Sequence, residues 1–103
     1  MQLRGKQKRY LRSRANQMRA IFEIGKQGVS TRWLAQLTNV LNKRELVKIK
    51  VLPNSGESVS DVRKFIQTHS EIQVVQKLGK TLLLFKPAQQ AKYQKISQIV
   101  AKM

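Results

Sequence analysis

The sequence predicts a single α/β domain in which helices and strands take turns. Between residues 20 and 52 a short apolar strand pattern, a helical pattern and a second strand pattern follow one another. That order favours a right-handed parallel crossover. Between residues 72 and 85 two further strand patterns meet at Gly79-Lys80, the signal of a two-residue hairpin. The scale agrees, because 103 residues that are 41% apolar can bury one modest core.

The first element is a helix over about residues 4–16. Leu3, Gln7, Leu11, Ala15 and Met18 recur at helical spacing with Tyr10 beside them, a thin stripe opposite a wide cationic face. Residues 1–19 carry seven basic side chains (Arg4, Lys6, Lys8, Arg9, Arg12, Arg14 and Arg19) and no acidic one. Ala20 to Ile24 then reads as a strand with Ala20, Phe22 and Ile24 on one face. Ser30 is placed to cap a second helix, whose inward stripe is Trp33, Leu34, Leu37, Val40 and Leu41. Trp33 on that stripe reads as core rather than as a base-stacking residue.

Glu45 to Leu52 forms the second strand, with Val47, Ile49 and Val51 inward and Lys48 and Lys50 on a charged outer face. Pro53-Asn54-Ser55-Gly56 is a turn cluster. Ser58-x-x-Asp61 has the spacing of a capping box and opens a third helix that turns Val59, Val62, Phe65 and Ile66 inward and ends near His69. Ile72–Leu78 and Thr81–Phe85 are the hairpin strands. Leu82 to Phe85 is apolar on both faces, as a strand covered on both sides must be. From Pro87 the pattern is helical again, with Tyr93, Ile96, Val100 and Met103 on one face. The pattern fits a segment that packs on the domain as well as one that frays.

Charge narrows the function. Twenty-one Lys and Arg against five Asp and Glu give a net charge of +16, which on a small folded body calls for a polyanionic partner. There is no cysteine, so disulfides, thiolate metal sites and thiol nucleophiles are excluded. The basic N-terminal stretch lacks the apolar region of a signal peptide, and the longest apolar run, Leu82–Phe85, is far too short to span a membrane. The expectation is a soluble, cytoplasmic monomer. A membrane-surface role for the terminal helices is disfavoured by the narrow apolar face of the first one.

Catalysis is not expected. The one histidine, His69, sits at a predicted helix end, where it complements the dipole. Glu23, Glu45, Glu57, Asp61 and Glu71 are scattered, with no pair at acid/base or metal-ligand spacing. Gly79-Lys80-Thr81 resembles the end of a nucleotide-binding P-loop, but position 74 is Val where that motif needs Gly, and no helix follows. No cofactor, metal or small-molecule substrate is expected.

The stretch that concentrates the functional signal is Ile21 to Ser30. A strand ends in Gly25-Lys26-Gln27-Gly28 and a helix begins at once. Glycines permit positive φ and close approach, and the helix N-terminus offers unpaired N–H groups with partial positive charge, which suits phosphate. Lys26 adds a full charge, and Arg32 lies off the apolar stripe nearby. By itself, Gly-x-x-Gly is as well explained as an ordinary turn. With one Trp, two Tyr and three Phe, mostly on core stripes, recognition of backbone and shape in folded RNA is favoured over stacking on single strands.

Four segments together resemble a known family: Leu3-x-Gly5-Lys6-Gln7-Lys8-Arg9-Tyr10-Leu11-Arg12, Ile24-Gly25-Lys26-Gln27-Gly28, Leu41-x-x-Arg44-Glu45-Leu46-Val47-Lys48-Ile49-Lys50, and Leu78-Gly79-Lys80-Thr81-Leu82-x-Leu84-Phe85-Lys86. In this order they are similar to the CRM domain (chloroplast RNA splicing and ribosome maturation), in its single-domain bacterial YhbY form. One departure is Val29-Ser30, where relatives often carry Leu-Thr. The resemblance covers residues 2–87 and implies a CRM RNA-binding domain over 1–87 with a helical extension over 88–103. It implies an α-β-α-β-α-β-β fold with a mixed four-stranded sheet, similar to the C-terminal domain of translation initiation factor three, plus the C-terminal helix. It further implies a non-catalytic RNA-binding protein that associates with ribosomal RNA in precursors of the large ribosomal subunit. The residues expected to contact RNA are Gly25, Lys26, Gln27, Gly28 and Arg32, with Lys6, Lys8, Arg9 and Arg12 of the first helix. Lys80 and Lys86 join them if the hairpin end faces the same side. The competing readings are a structural ribosomal protein, a general chaperone of structured RNA, and an RNA-modifying enzyme, the last disfavoured by the missing chemistry.

Overall fold

The computed structural model describes residues 2–103. Its elements are α1 (Gly5–Ala15), β1 (Ala20–Ile24), α2 (Thr31–Arg44), β2 (Leu46–Val51), α3 (Val59–His69), β3 (Gln73–Leu78), β4 (Thr81–Phe85) and α4 (Lys95–Ala101). The four strands form one sheet in the order β1-β2-β4-β3. β1 and β2 are parallel, joined by α2, while β4 is antiparallel to both its neighbours. This is the mixed four-stranded α/β arrangement expected.

Helices cover both faces. On one, Trp33, Leu37 and Leu41 of α2 and Val62 and Ile66 of α3 close over Ile24, Val47, Ile49, Leu82 and Leu84. On the other, Leu11 and Ala15 of α1 and Val100 of α4, with Leu3, close over Leu46, Val75, Leu83 and Phe85. Leu82 to Phe85 is buried throughout because β4 lies between the two cores. Trp33 is core, its ring 5.8 Å from that of Phe22.

The caps are local and follow the sequence. Ser30 Oγ accepts from Trp33 N at 3.1 Å, and Ser58 Oγ accepts from Asp61 N at 3.0 Å. Gln7 sits on the apolar stripe of α1 because both ends of its amide are used: it accepts from Arg4 N at 2.8 Å and donates to Val100 O at 2.9 Å.

Three expectations change. The first concerns Glu45, which is not in the second strand. It follows α2 in a left-handed conformation, φ +66°, and is fully buried. Its carboxylate accepts from Ala88 N at 2.7 Å, Ile96 N at 2.9 Å and Ser97 N at 3.0 Å. An α-helix leaves its first N–H groups unpaired, and Glu45 supplies the acceptor for α4 that no residue of α4's own N-terminus supplies. Burial pushes this carboxyl up, but the Ser97 hydroxyl and the three backbone donors outweigh it and hold the group below its ordinary range. The second is the open question of the last segment, which packs: Ala88, Ser97 and Val100 are buried. The third concerns the outer face of β2, where Lys48 is half-buried and donates to Met18 O at 3.0 Å, because the chain leaving α1 lies over it.

Candidate nucleic-acid interface

The sheet has two unlike ends, and the strand directions decide what each collects. β1, β2 and β3 all stop at one end, where β4 starts. Three connections therefore meet there: Gly25–Gly28, the segment 52–58 and the hairpin tip Gly79-Lys80. Backbone bonds join them, Leu52 N to Ile24 O at 3.0 Å and Val51 N to Lys80 O at 2.8 Å.

Gly25–Gly28 is a closed turn, with Gly28 N donating to Gly25 O at 2.9 Å. Gly28 has φ +66°, a conformation that favours glycine, and a Cβ there would stand 3.1 Å from Glu57 Oε1, close enough that the Glu57 carboxylate would have to shift. Since Ser30 takes the N–H groups of Trp33 and Leu34, the N–H groups of Lys26, Gln27, Thr31 and Arg32 meet no protein acceptor among the described residues. Lys26 and Arg32 are exposed and line a cleft of about 500 Å³ together with Glu23, Gln36 and Trp33.

The hairpin tip brings Lys80 to this same end. Gly79 has φ +59° while Lys80 does not, the pattern of a type II′ turn. Arg12, on the α1 side, lines a second cleft of about 340 Å³ with Lys48, Gln76, Leu78 and Thr81, which sets it at the base of the hairpin.

The remaining predicted residues lie elsewhere. Lys86 follows the far end of β4, where Phe85 pairs with Leu46, so it stands at the opposite end of the sheet from Lys80. Its Nζ is held by Asn42 Oδ1 and Pro87 O. Lys6 and Arg9 are exposed on α1, while Lys8 is half-buried beside Arg63 and Glu71 near the start of β3. The expected residues therefore separate into Gly25, Lys26, Gln27, Gly28, Arg32 and Lys80 at the loop end, Arg12 on its flank, and Lys6, Lys8, Arg9 and Lys86 away from it.

Two residues at the open end carry weight that the sequence did not disclose. Lys50 is exposed on β2, paired in register with Glu23 and Thr81, next to the loop. Its alternation with Ile49 and Val51 was visible, but its nearness to the loop required the register. Glu57 lies against Gly28, a placement that needs the whole βαβ unit.

Residues 3–86 match the family model described as the CRS1 / YhbY (CRM) domain. The chain is 41% identical over 90 residues to a Bacillus subtilis protein named as a probable RNA-binding protein, YqeI, covering 87% of this chain and 94% of the relative. It is 32% identical over 89 residues to a protein of Haemophilus influenzae named RNA-binding protein, covering 86% and 90%. Its fold matches the solution structure of a Staphylococcus aureus protein with a TM-score of 0.66 at 35% identity, covering 91% of this chain and 98% of the other.

Proposed function

We propose that this chain, which belongs to the CRS1 / YhbY (CRM) domain family, is an RNA-binding protein that grips RNA phosphates at the loop end of its sheet. The observation that carries the reading is that the unpaired backbone N–H groups of Lys26, Gln27, Thr31 and Arg32 lie at one turn and helix start beside the Lys26 and Arg32 side chains, with Lys80 at the same end of the sheet. Donors fixed by a turn and a helix start are set for an anion before it arrives, and nearby cations add charge that tracks a phosphate backbone. Arg12 and Lys50 extend the positive surface on one side.

The same reading takes the protein to be a cytoplasmic assembly factor that holds ribosomal RNA in large-subunit precursors and does no chemistry on it. What supports the absence of chemistry is that the one fully buried carboxylate among the described residues, Glu45, is already committed to three backbone donors. Among the described residues no helix is long and apolar enough to cross a membrane.

Two measurements test this. Binding to structured RNA should weaken with a log–log salt slope of roughly −4 to −7, as expected for five to eight neutralised phosphates. A slope near zero sinks the phosphate grip. In a density gradient of cell lysate, the protein should run with large-subunit precursors and be absent from mature ribosomes. Equal presence in mature particles would make it a structural ribosomal protein instead.

A further inference from the structure

β1 is an edge strand, and its outer side is unoccupied by any other strand. In a parallel pair, a residue directs both its N–H and its C=O to the same side, and successive residues alternate. Ile24 O accepts from Leu52 N, so Ile24 faces β2 and Glu23 faces away. The backbone N–H and C=O of Glu23 therefore point off the sheet edge, and no protein group among the described residues pairs with them.

The 500 Å³ cleft lies along this edge. Its parts differ in chemistry from one side to the other. The Gly25–Gly28 turn, Lys26 and Arg32 form a cationic rim, while Trp33 and Gln36, one turn apart on α2, form the inner wall. Trp33 is only 9% exposed, and its Nε1–H meets no acceptor. A phosphate needs the rim alone. The rest of the cleft, with a flat indole, an adaptable amide and a backbone donor beside a backbone acceptor, is unused by a phosphate. Its volume lies in the range that encloses a small ligand.

We propose that the cleft receives an unpaired nucleobase of the bound RNA. The adjoining phosphate sits at the Gly25–Gly28 turn, and the base edge pairs with the N–H and C=O of Glu23. Every standard base carries a donor next to an acceptor on its Watson–Crick edge, so the Glu23 pair suits an unpaired base as a class, and Gln36 adds the adaptable contact. A base in a duplex has that edge already taken. The cleft would therefore direct the protein to bulges, loops and strand ends within folded RNA, a selection that phosphate contacts alone do not make. The inference rests on the RNA-binding reading above.

The test uses the full chain and three RNA probes: a duplex with one bulged adenosine, the same duplex with an abasic bulge, and a fully paired duplex. Dissociation constants come from fluorescence anisotropy at fixed salt, and the fluorescence of Trp33, the single tryptophan, reports on the cleft. The bulged duplex should bind about tenfold tighter than its abasic counterpart, the value of two modest hydrogen bonds. Trp33 emission should change with the base and not without it. Glu23→Pro removes an outward N–H at an edge position where proline is tolerated, and should bring the ratio of bulged to abasic affinity close to one. Gln36→Leu should lower the ratio in the same direction, and serves if the proline variant does not fold. Equal binding of bulged and abasic probes with unchanged Trp33 emission overturns the base site and leaves the RNA-binding reading standing. A folded Glu23→Pro chain that keeps the preference overturns the edge contact. Failure of all three probes to bind at low salt overturns the RNA-binding reading and the base site with it.

Discussion

Where β2 begins, the polar groups are enclosed and used: the Glu45 carboxylate takes three backbone N–H groups, Glu45 O accepts from Lys86 N at 2.9 Å, and Lys86 Nζ is bound to Asn42 and Pro87. Where β2 stops, the reverse holds. Lys26, Gln27, Arg32, Lys50 and Lys80 are exposed, and the backbone N–H groups of Lys26, Gln27, Thr31 and Arg32 around the Gly25–Gly28 turn lack an acceptor among the described residues. The contrast separates charge that holds the fold from charge that is free to act. A net charge of +16 does not by itself say which lysine does which. An ion or amide already satisfied inside the protein would have to give up its partners to meet RNA, whereas an unsatisfied one loses only water.

The largest expected effect is at the closed end. Glu45→Ala leaves three backbone donors without their acceptor in a buried setting, and should cost about 3 kcal/mol or more of unfolding free energy in urea titration. Amide exchange at Ile96 and Ser97 should rise before global unfolding, since α4 loses its cap. Glu45→Gly relieves the left-handed backbone yet removes the same acceptor, so its cost should be somewhat smaller but of the same kind. Linkage gives a pH signature. The folded-state pKa of Glu45 is depressed, so its contribution is present above the unfolded-state pKa and is lost as pH falls through the folded value. Stability of the wild-type chain should therefore drop from roughly pH 4 downward, and the acid drop should be shallower in Glu45→Ala. Parallel acid profiles would remove Glu45 from the account of the closed end.

Next in size is Gly28. Any Cβ at φ +66° is strained, and here it also meets the Glu57 carboxylate. Gly28→Ala should cost about 1–2 kcal/mol. A variant as stable as wild type would show that the turn relaxes freely, contrary to a preformed anion site. Smaller in free energy, but wholly in binding, is the pair Lys26→Ala with Arg32→Ala. Both side chains are exposed and support no fold contact, so melting should be unchanged while the magnitude of the salt slope for RNA binding falls by about 2. An unchanged slope would move the phosphate grip away from the loop end.

How far the sequence foretold this contrast depends on how local each signal is. The Ser30 cap, the glycine turn and the hairpin at Gly79-Lys80 are encoded within four or five residues, and the structure has them where the pattern puts them. The double-sided burial of Leu82–Phe85 was likewise readable, because a strand between two cores leaves no polar face. Glu45 was not readable. Its partners lie 43 to 52 residues further along, and its left-handed φ is not announced by a glycine or asparagine at that position. The base-edge groups of Glu23 could not be found from side chains at all, since they belong to the backbone and depend on which strand is the edge. Lys80 and Lys86 teach a different lesson. They flank β4, and a five-residue strand separates its ends by roughly 17 Å, so strand length alone already set them apart.

Lys86 therefore offers the finest division between the two ends. Its ammonium bonds to Asn42 Oδ1 and Pro87 O, tying the end of β4 to α2. Lys86→Met keeps the length and the apolar stem of the side chain and removes the charge and both hydrogen bonds. The expected stability loss is small, about 0.5–1.5 kcal/mol, because the group is only half-buried and water can replace it. If it plays no part in gripping RNA, the salt slope should stay at the wild-type value, whereas Lys80→Met should reduce its magnitude by about 1 with no loss of stability. A slope reduced by Lys86→Met and untouched by Lys80→Met would reverse the assignment of the ends, and the RNA would have to be sought where the polar groups are already paired.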